Sequence, residues 1–237
     1  ARMAFLTRGK YISRMTTTPA DIASAQHLRY LAFDLKDGSG MDGDAFDSAC
    51  KHFLIEDRTT STLVCCFRIM HLQGGSEIEK SYSAQYYELS ALHDFDGKLV
   101  EMGRFCIHPD VKEPDVLRIA WGTMTKYVDE YKVDLLFGCV SFPGTDARTY
   151  ADAFAMLRDK HLAPKRWLPQ IKAPNVVRYA TPLRHKPDLK QAMLFQDMTV
   201  CVKMYTGIAI NYLLPLLESL YKIPIIRSME WLWILAI

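Results

Sequence analysis

Apolar and polar positions alternate in short blocks along the first 140 residues, and each block predicts one element. Residues 11–15 read as a first strand within an extended lead-in. Thr18, Pro19 and Asp21 form a helix start, with a side-chain oxygen at the cap, proline at the first helical position and acid three residues on. Ile22, Ala25, Leu28, Arg29 and Phe33 then recur at helical spacing until Asp37, Gly38 and Gly40 break it. Residues 42–50 predict a short helix or turn, and 52–56 with 62–71 a hairpin of apolar strands. A polar and aromatic insertion over 73–98 is long enough to be functional or mobile. A helix over 116–131 carries an apolar stripe of Leu117, Ala120, Trp121, Met124, Tyr127 and Val128, and a buried strand follows over 133–140. Residues 146–160 predict a further amphipathic helix, and 194–204 a last strand. Strand, helix, strand, helix in this order implies a parallel crossover and a mixed α/β sheet.

The stretch from Leu99 to Asp110 organises the rest. It is apolar enough to be buried and is closed by Pro109, which has no donor for a ladder. Yet it carries Glu101 and Arg104, and buried charges are costly unless paired or used. Three residues apart on a strand, these side chains point to opposite faces unless a bulge, which Gly103 can supply, realigns them. Either they form a structural pair, with Arg68 of the neighbouring strand as another partner for Glu101, or they serve a substrate.

Composition narrows the class. With 237 residues, 49% of them hydrophobic, the chain suffices for one large domain. We assign that domain to 1–204 and an apolar tail of open role to 205–237. A formal net charge of +2 gives no global case for nucleic acid. The six cysteines lack metal-ligand spacing and read as reduced thiols. No signal-peptide core opens the chain, and no stretch is long and apolar enough for a span, because charges and prolines interrupt the tail. The expected location is cytoplasmic. The loop and helix start over 112–118, with Lys112 and Arg118, is a place where backbone N–H groups can hold a phosphate.

Several separated motifs then converge on one family. Glu-Met-Gly-Arg-Phe-Cys-Ile-His-Pro-Asp at 101–110, Leu-Phe-Gly-Cys-Val-Ser-Phe-Pro-Gly-Thr-Asp at 136–146 and His-Leu-Ala-Pro at 161–164 resemble the bacterial L-ornithine N-alpha-acyltransferases. Residues 26–30 and the aromatic-acidic Tyr86-Tyr87-Glu88 add to the match, which runs from about Tyr11 to Ala180. These enzymes are a hemolysin-like branch of the GNAT acyltransferase superfamily, distantly like acyl-homoserine-lactone synthases.

The resemblance implies a GNAT-like mixed sheet flanked by helices. It further implies transfer of a 3-hydroxy fatty acyl group from acyl carrier protein to the α-amine of ornithine, or of glutamine or lysine. No permanently bound cofactor is expected; the donor is the acyl-phosphopantetheine of the carrier. On this reading Glu101 is the base and Arg104 clamps a carboxylate. Arg29, Arg68, Glu88 and His108 border the substrates, backbone near Phe105 and Cys106 meets the oxyanion, Ser141 lines the pantetheine slot, and Lys112 and Arg118 meet its phosphate. Arg158, Lys160, Lys165, Arg166 and Lys172 form the face for an acidic carrier protein. A lipophilic product and the apolar tail imply peripheral attachment at the inner membrane. The rivals are a non-catalytic acyl-binding protein on the same fold and an acyl-homoserine-lactone-type synthase.

Overall fold

The structure, a computed structural model, describes residues 4–34, 40–140, 165–174 and 230–235. They fall into two compact units, the first from residues up to 71 and 100–134, the second from 72–99, 135–140, 165–174 and 230–235.

In the first unit, strands β1 (Leu6–Arg8), β2 (Tyr11–Met15), β3 (Lys51–Asp57), β4 (Thr62–Leu72) and β6 (Leu99–Ile107) follow one another across a sheet. The first four are joined in antiparallel pairs, with Ser13 opposite Ile55 and Leu54 opposite Cys66. Period-2 side chains give this sheet two distinct faces. One carries Phe53 and Phe67, stacked at 5.1 Å, and Phe105, 6.0 Å from Phe67. Helix α2 (Pro114–Tyr131) covers that face, bringing Tyr127 edge-on to Phe53 and binding Ser13 Oγ through Thr123 Oγ1 at 2.6 Å. Its whole expected stripe is buried. Lys132 ends it in the left-handed conformation, φ 55°, donating back to Val128.

Helix α1 (Pro19–Asp34) covers the other face, where Ala25 and Leu28 meet Leu54, Cys66 and Cys106. Its start is doubly tied. Asp21 N donates to Thr18 Oγ1, while Asp21 Oδ2 accepts from the Thr17 and Thr18 N–H groups, a reciprocal cap that satisfies otherwise orphaned donors. The second Asp21 oxygen accepts from the buried Arg14 guanidinium at 2.7 Å. Phe33, placed by its spacing on the buried stripe, is half exposed instead, in the last turn of α1.

In the second unit the 73–98 insertion is a chain of 3-10 turns around buried Ile78, Leu89 and Leu92, not an open loop. A Cβ on Gly75 would collide with the carbonyl oxygens of Leu92 and His93, so only glycine fits there. Strand β5 (Tyr87–Glu88) pairs with β8 (Gln170–Ile171), and Lys172 Nζ donates to Ala84 O at 2.6 Å. Strand β7 (Leu135–Val140) pairs in parallel with β9 (Glu230–Leu235). The expected mixed sheet, mostly antiparallel, is thus observed. The tail over 205–237 contributes a strand, whereas the helix expected over 146–160 and the strand expected over 194–204 lie outside the described residues.

Asp21→Ala is expected to lower stability by about 2–4 kcal/mol in urea titrations, because it removes the cap and one of the two carboxylates that hold the buried Arg14, leaving Glu56 at 2.7 Å as the other. Thr18→Ala, which removes only the cap, is expected to cost about 1 kcal/mol. Equal losses would show that the Arg14 contact adds nothing to the cap.

Candidate functional site

The face of the first unit's sheet that α1 covers is charged at one end. Arg68 lies on β4 beside His52 of β3, whose backbone it opposes. Arg29 reaches down from α1, one turn after Ala25 and at 1% side-chain exposure. The turn after α1 supplies Asp42, Asp44 and Asp47, the last at the start of a 3-10 turn.

Glu101 and Arg104 arrive together through a break in β6. Arg104 has φ 52°, the left-handed region that side chains rarely occupy. Arg104 reaches Asp44, and a Cβ placed on Gly103 would lie 3.8 Å from Arg68 Nε, so residues 103 and 104 face the same side. Two residues before Gly103, Glu101 shares that side, buried to 4% exposure. Its charge is felt by the half-buried Cys50 thiol, which burial pushes up to about 11 with the Glu101 carboxylate adding to the rise. The realignment anticipated at Gly103 therefore occurs, with the left-handed backbone on Arg104 itself.

Three guanidiniums and three carboxylates close a ring on this face. Arg29 holds Asp47 with both terminal nitrogens, at 2.8 and 2.7 Å. Arg68 Nη1 donates to Asp47 Oδ1 at 2.6 Å and to Asp44 Oδ1 at 2.5 Å, and its Nη2 to Asp44 Oδ2 at 2.8 Å. Arg104 Nη2 donates to Asp44 Oδ2 at 3.0 Å, and its Nε lies 3.4 Å from Asp42 Oδ2. Asp42 Oδ2 closes the ring 3.2 Å from Arg29 Nε, and Asp42 O also accepts from Arg29 Nη2. Formal charges cancel around the ring.

The ring holds Asp44, Asp47 and Arg68 ionised. Burial pushes the Asp47 carboxyl up, but bonds from Arg29, Gln26 and Arg68 override it and keep the group well below the usual carboxylate range. Asp44 is likewise lowered by Arg68 and Arg104 against the effect of burial. Arg68 stays protonated because its bonds to Asp44 and Asp47 outweigh desolvation. His52 behaves in the opposite sense. Burial lowers its pKa, and its Nε2 lies 2.9 Å from Asp47 O, where a neutral ring donates.

Of the residues singled out by sequence, Arg29, Arg68, Glu101 and Arg104 are brought together here. Phe105 sits on the opposite face, against Phe67. Cys106 packs under the ring with its Sγ 3.4 Å from that of Cys66, and burial raises its pKa well above the usual thiol value. His108 closes β6, its Nδ1 accepting from Asp110 N. Lys112 and Arg118 flank the start of α2, across the sheet from the ring. That helix start already has Glu113 at the cap and Asp115 in its first turn, where Arg118 is paired at 2.7 Å, so local acid offsets its attraction for anions. Glu88 belongs to the second unit, its carboxylate accepting from Ser90 N. In that unit Lys172 reaches Ala84 and Arg166 lies over the Trp167 ring, while Ser141, Arg158 and Lys160 lie outside the described residues. Sequence reading missed Asp42, Asp44, Asp47 and His52. An Asp-x-Asp-x-x-Asp run just after a helix bearing Arg29 was the available signal.

The site predicts a pH dependence with a definite sign. The unfolded His52 takes up a proton near its ordinary 6.5 while the folded one resists, so stability falls as pH drops below about 6.5. Asp44 and Asp47 contribute stability above the ordinary carboxylate value of 3.8, which is lost only as pH falls further through their lowered values. In urea titrations across pH, His52→Gln is expected to remove the upper part of this slope and keep the lower; an unchanged upper slope would acquit His52.

The chain is similar to several known proteins. Residues 28–122 match the acetyltransferase (GNAT) domain model. The L-ornithine N(alpha)-acyltransferase of Rhodobacter capsulatus is 28% identical, the alignment covering 68% of this chain and 68% of that protein. Those of Agrobacterium fabrum and Brucella abortus are 27% and 26% identical over 67% and 65% of this chain, and the chain spans 60% of the length of each. Among solved structures, FeeM, an N-acyl amino acid synthase from uncultured soil microbes, aligns with a TM-score of 0.40 and 16% identity over 53% of this chain and 68% of that one. The acyl-homoserine-lactone synthase LasI aligns with a TM-score of 0.39 and 17% identity over 53% and 70%. The chain thus carries, over residues 28–122, a match to a GNAT domain, and along about two thirds of its length it is similar in sequence to L-ornithine N(alpha)-acyltransferases.

Proposed function

We propose that this chain is an N-acyltransferase that moves a 3-hydroxy fatty acyl group from the phosphopantetheine of acyl carrier protein to the α-amine of ornithine. The product would be lyso-ornithine lipid. The observation that carries the reading is the placement of Glu101: a buried carboxylate on the face that also bears Arg104, in a chain related to ornithine N(alpha)-acyltransferases.

The chemistry follows from these groups. The acceptor's α-ammonium must lose a proton before its nitrogen can attack the thioester carbonyl, and Glu101 takes that proton directly or through water. A new C–N bond forms as the C–S bond breaks, and the departing thiolate takes a proton to leave as the free carrier thiol. Arg104, held by Asp44 and Asp42, offers a fixed cation to the acceptor's carboxylate. Cys106 takes no part as a nucleophile, since its thiol is buried and its pKa raised. A carrier protein, an acidic partner, would approach the basic residues at 158–172, and the lipid product would favour peripheral membrane contact; none of the described helices is long and apolar enough to cross a membrane.

Release of free thiol from a 3-hydroxyacyl carrier protein tests the reading. Thiol is expected to appear only when an amino acid is supplied, and Glu101→Gln is expected to lower the rate by about 10²–10⁴-fold without unfolding the chain. Wild-type turnover in Glu101→Gln would remove Glu101 from the mechanism, and no release by the wild-type chain with any acceptor would favour a non-catalytic acyl-binding protein.

A further inference from the structure

The ring is not uniform around its circumference. Arg29, Arg68 and Asp47 are 1%, 4% and 7% exposed, whereas Asp42 and Arg104 are each 25% exposed and Asp44 21%. The ring therefore has a sealed side under α1 and an open edge formed by Asp42, Arg104 and Asp44.

The three carboxylates also differ in how fully they are used. Both oxygens of Asp47 accept hydrogen bonds from guanidiniums, and so do both oxygens of Asp44. The Asp42 carboxylate meets its two arginines through Oδ2 alone. That atom is buried and has no hydrogen bond, although the nearly fully buried Arg29 directs Nε at it from 3.2 Å. With Oδ2 buried, the exposure of Asp42 falls on the rest of its side chain, at the open edge. The Asp42 carboxylate is the joint of the ring held by charge without hydrogen-bond geometry, and the one with an oxygen left to face an incoming cation.

We propose that Asp42 determines acceptor specificity: its outward oxygen receives the side-chain ammonium of a diamino acid, distinguishing it from a neutral amino acid of the same shape. The choice of ligand rests on the acyltransferase reading, in which Arg104 faces the acceptor's carboxylate and Glu101 its α-amine. The electrostatics are consistent with it. A diamino acid brings to the Asp42 carboxylate an ammonium that a neutral amino acid of the same shape lacks. Asp44 and Asp47 cannot take this role without surrendering a bond to Arg68 or Arg29.

The test is a cycle between one side chain of the protein and one group of the ligand. L-norvaline is L-ornithine without the terminal amine, so the two differ only in the group that Asp42 is proposed to bind. Calorimetric titration of the full chain with each, in the wild type, Asp42→Asn and Asp42→Glu, gives three affinity ratios. The wild type is expected to prefer ornithine by about tenfold or more, the worth of one charge-assisted hydrogen bond. Asp42→Asn is expected to bring the ratio close to one, whatever the absolute affinities, and Asp42→Glu to restore part of it.

A preference retained in Asp42→Asn overturns the proposal, as does a wild type that binds both ligands equally or neither. Loss of both ligands together in a folded Asp42→Asn overturns it too, because that result assigns Asp42 to the integrity of the ring. The acyltransferase reading fails on a different observation, the absence of thiol release with any acceptor, and ornithine preference without thiol release would leave a diamino-acid binding site in a protein that does not transfer acyl groups.

Discussion

Everything on the charged face depends on burying three guanidiniums together, which is tolerable only because three carboxylates meet them in alternation. An isolated ion of this kind loses several kcal/mol on leaving water. In the ring, Asp47 and Asp44 each bridge two arginines, so no charge is buried without partners on both sides. The ring also ties together segments distant in sequence: α1 through Arg29, the following turn through the aspartates, β4 through Arg68 and β6 through Arg104. Each is positioned by the others, and displacing any one leaves a charge without its complement.

That mutual constraint accounts for the unusual backbone of β6. A left-handed arginine inside a strand costs about 1–3 kcal/mol and persists where the surroundings over-determine it. Here the bonds to Asp44 and the contact with Asp42 fix the side chain, and the backbone follows. The consequence is chemical. A regular strand would send Glu101 and Arg104 to opposite faces; the break places a buried acid and a half-buried cation on the same one.

The two faces of the first unit's sheet divide structure from chemistry. Under α2 the contacts are aromatic and aliphatic, with Phe53, Phe67, Phe105 and Tyr127 stacked or edge-on, and such contacts resist small displacements. Under α1 a small apolar patch gives way to the ring within two residues along β4 and β6, from Cys66 to Arg68 and from Cys106 to Arg104. The rigid aromatic layer holds the strands from behind, so the charged groups are presented on secondary structure and not on loops, which favours precise placement.

Local signals carried the elements themselves. The Thr18, Pro19 and Asp21 cap, the helical stripe from Leu117 to Val128 and the apolar runs of β3, β4 and β6 follow from short-range propensity and burial, and they appear where periodicity puts them. The importance of Glu101 and Arg104 was also legible, because charge inside an apolar strand is costly wherever the strand ends up. What sequence spacing could not supply is which charges meet. Asp42, Asp44 and Asp47 read as an ordinary polar turn until tertiary structure sets them against Arg29, Arg68 and Arg104, residues 13 to 62 positions away. Nor could it locate the parallel partner of β7, since Glu230–Leu235 lies about 90 residues beyond it and a long-range pairing leaves no periodic trace between its strands. Helices, strands and their apolar faces follow from neighbours within a few residues, whereas the closed ring and the side to which Glu101 points arise only in the tertiary structure, because electrostatic complementarity acts through space and not along the chain.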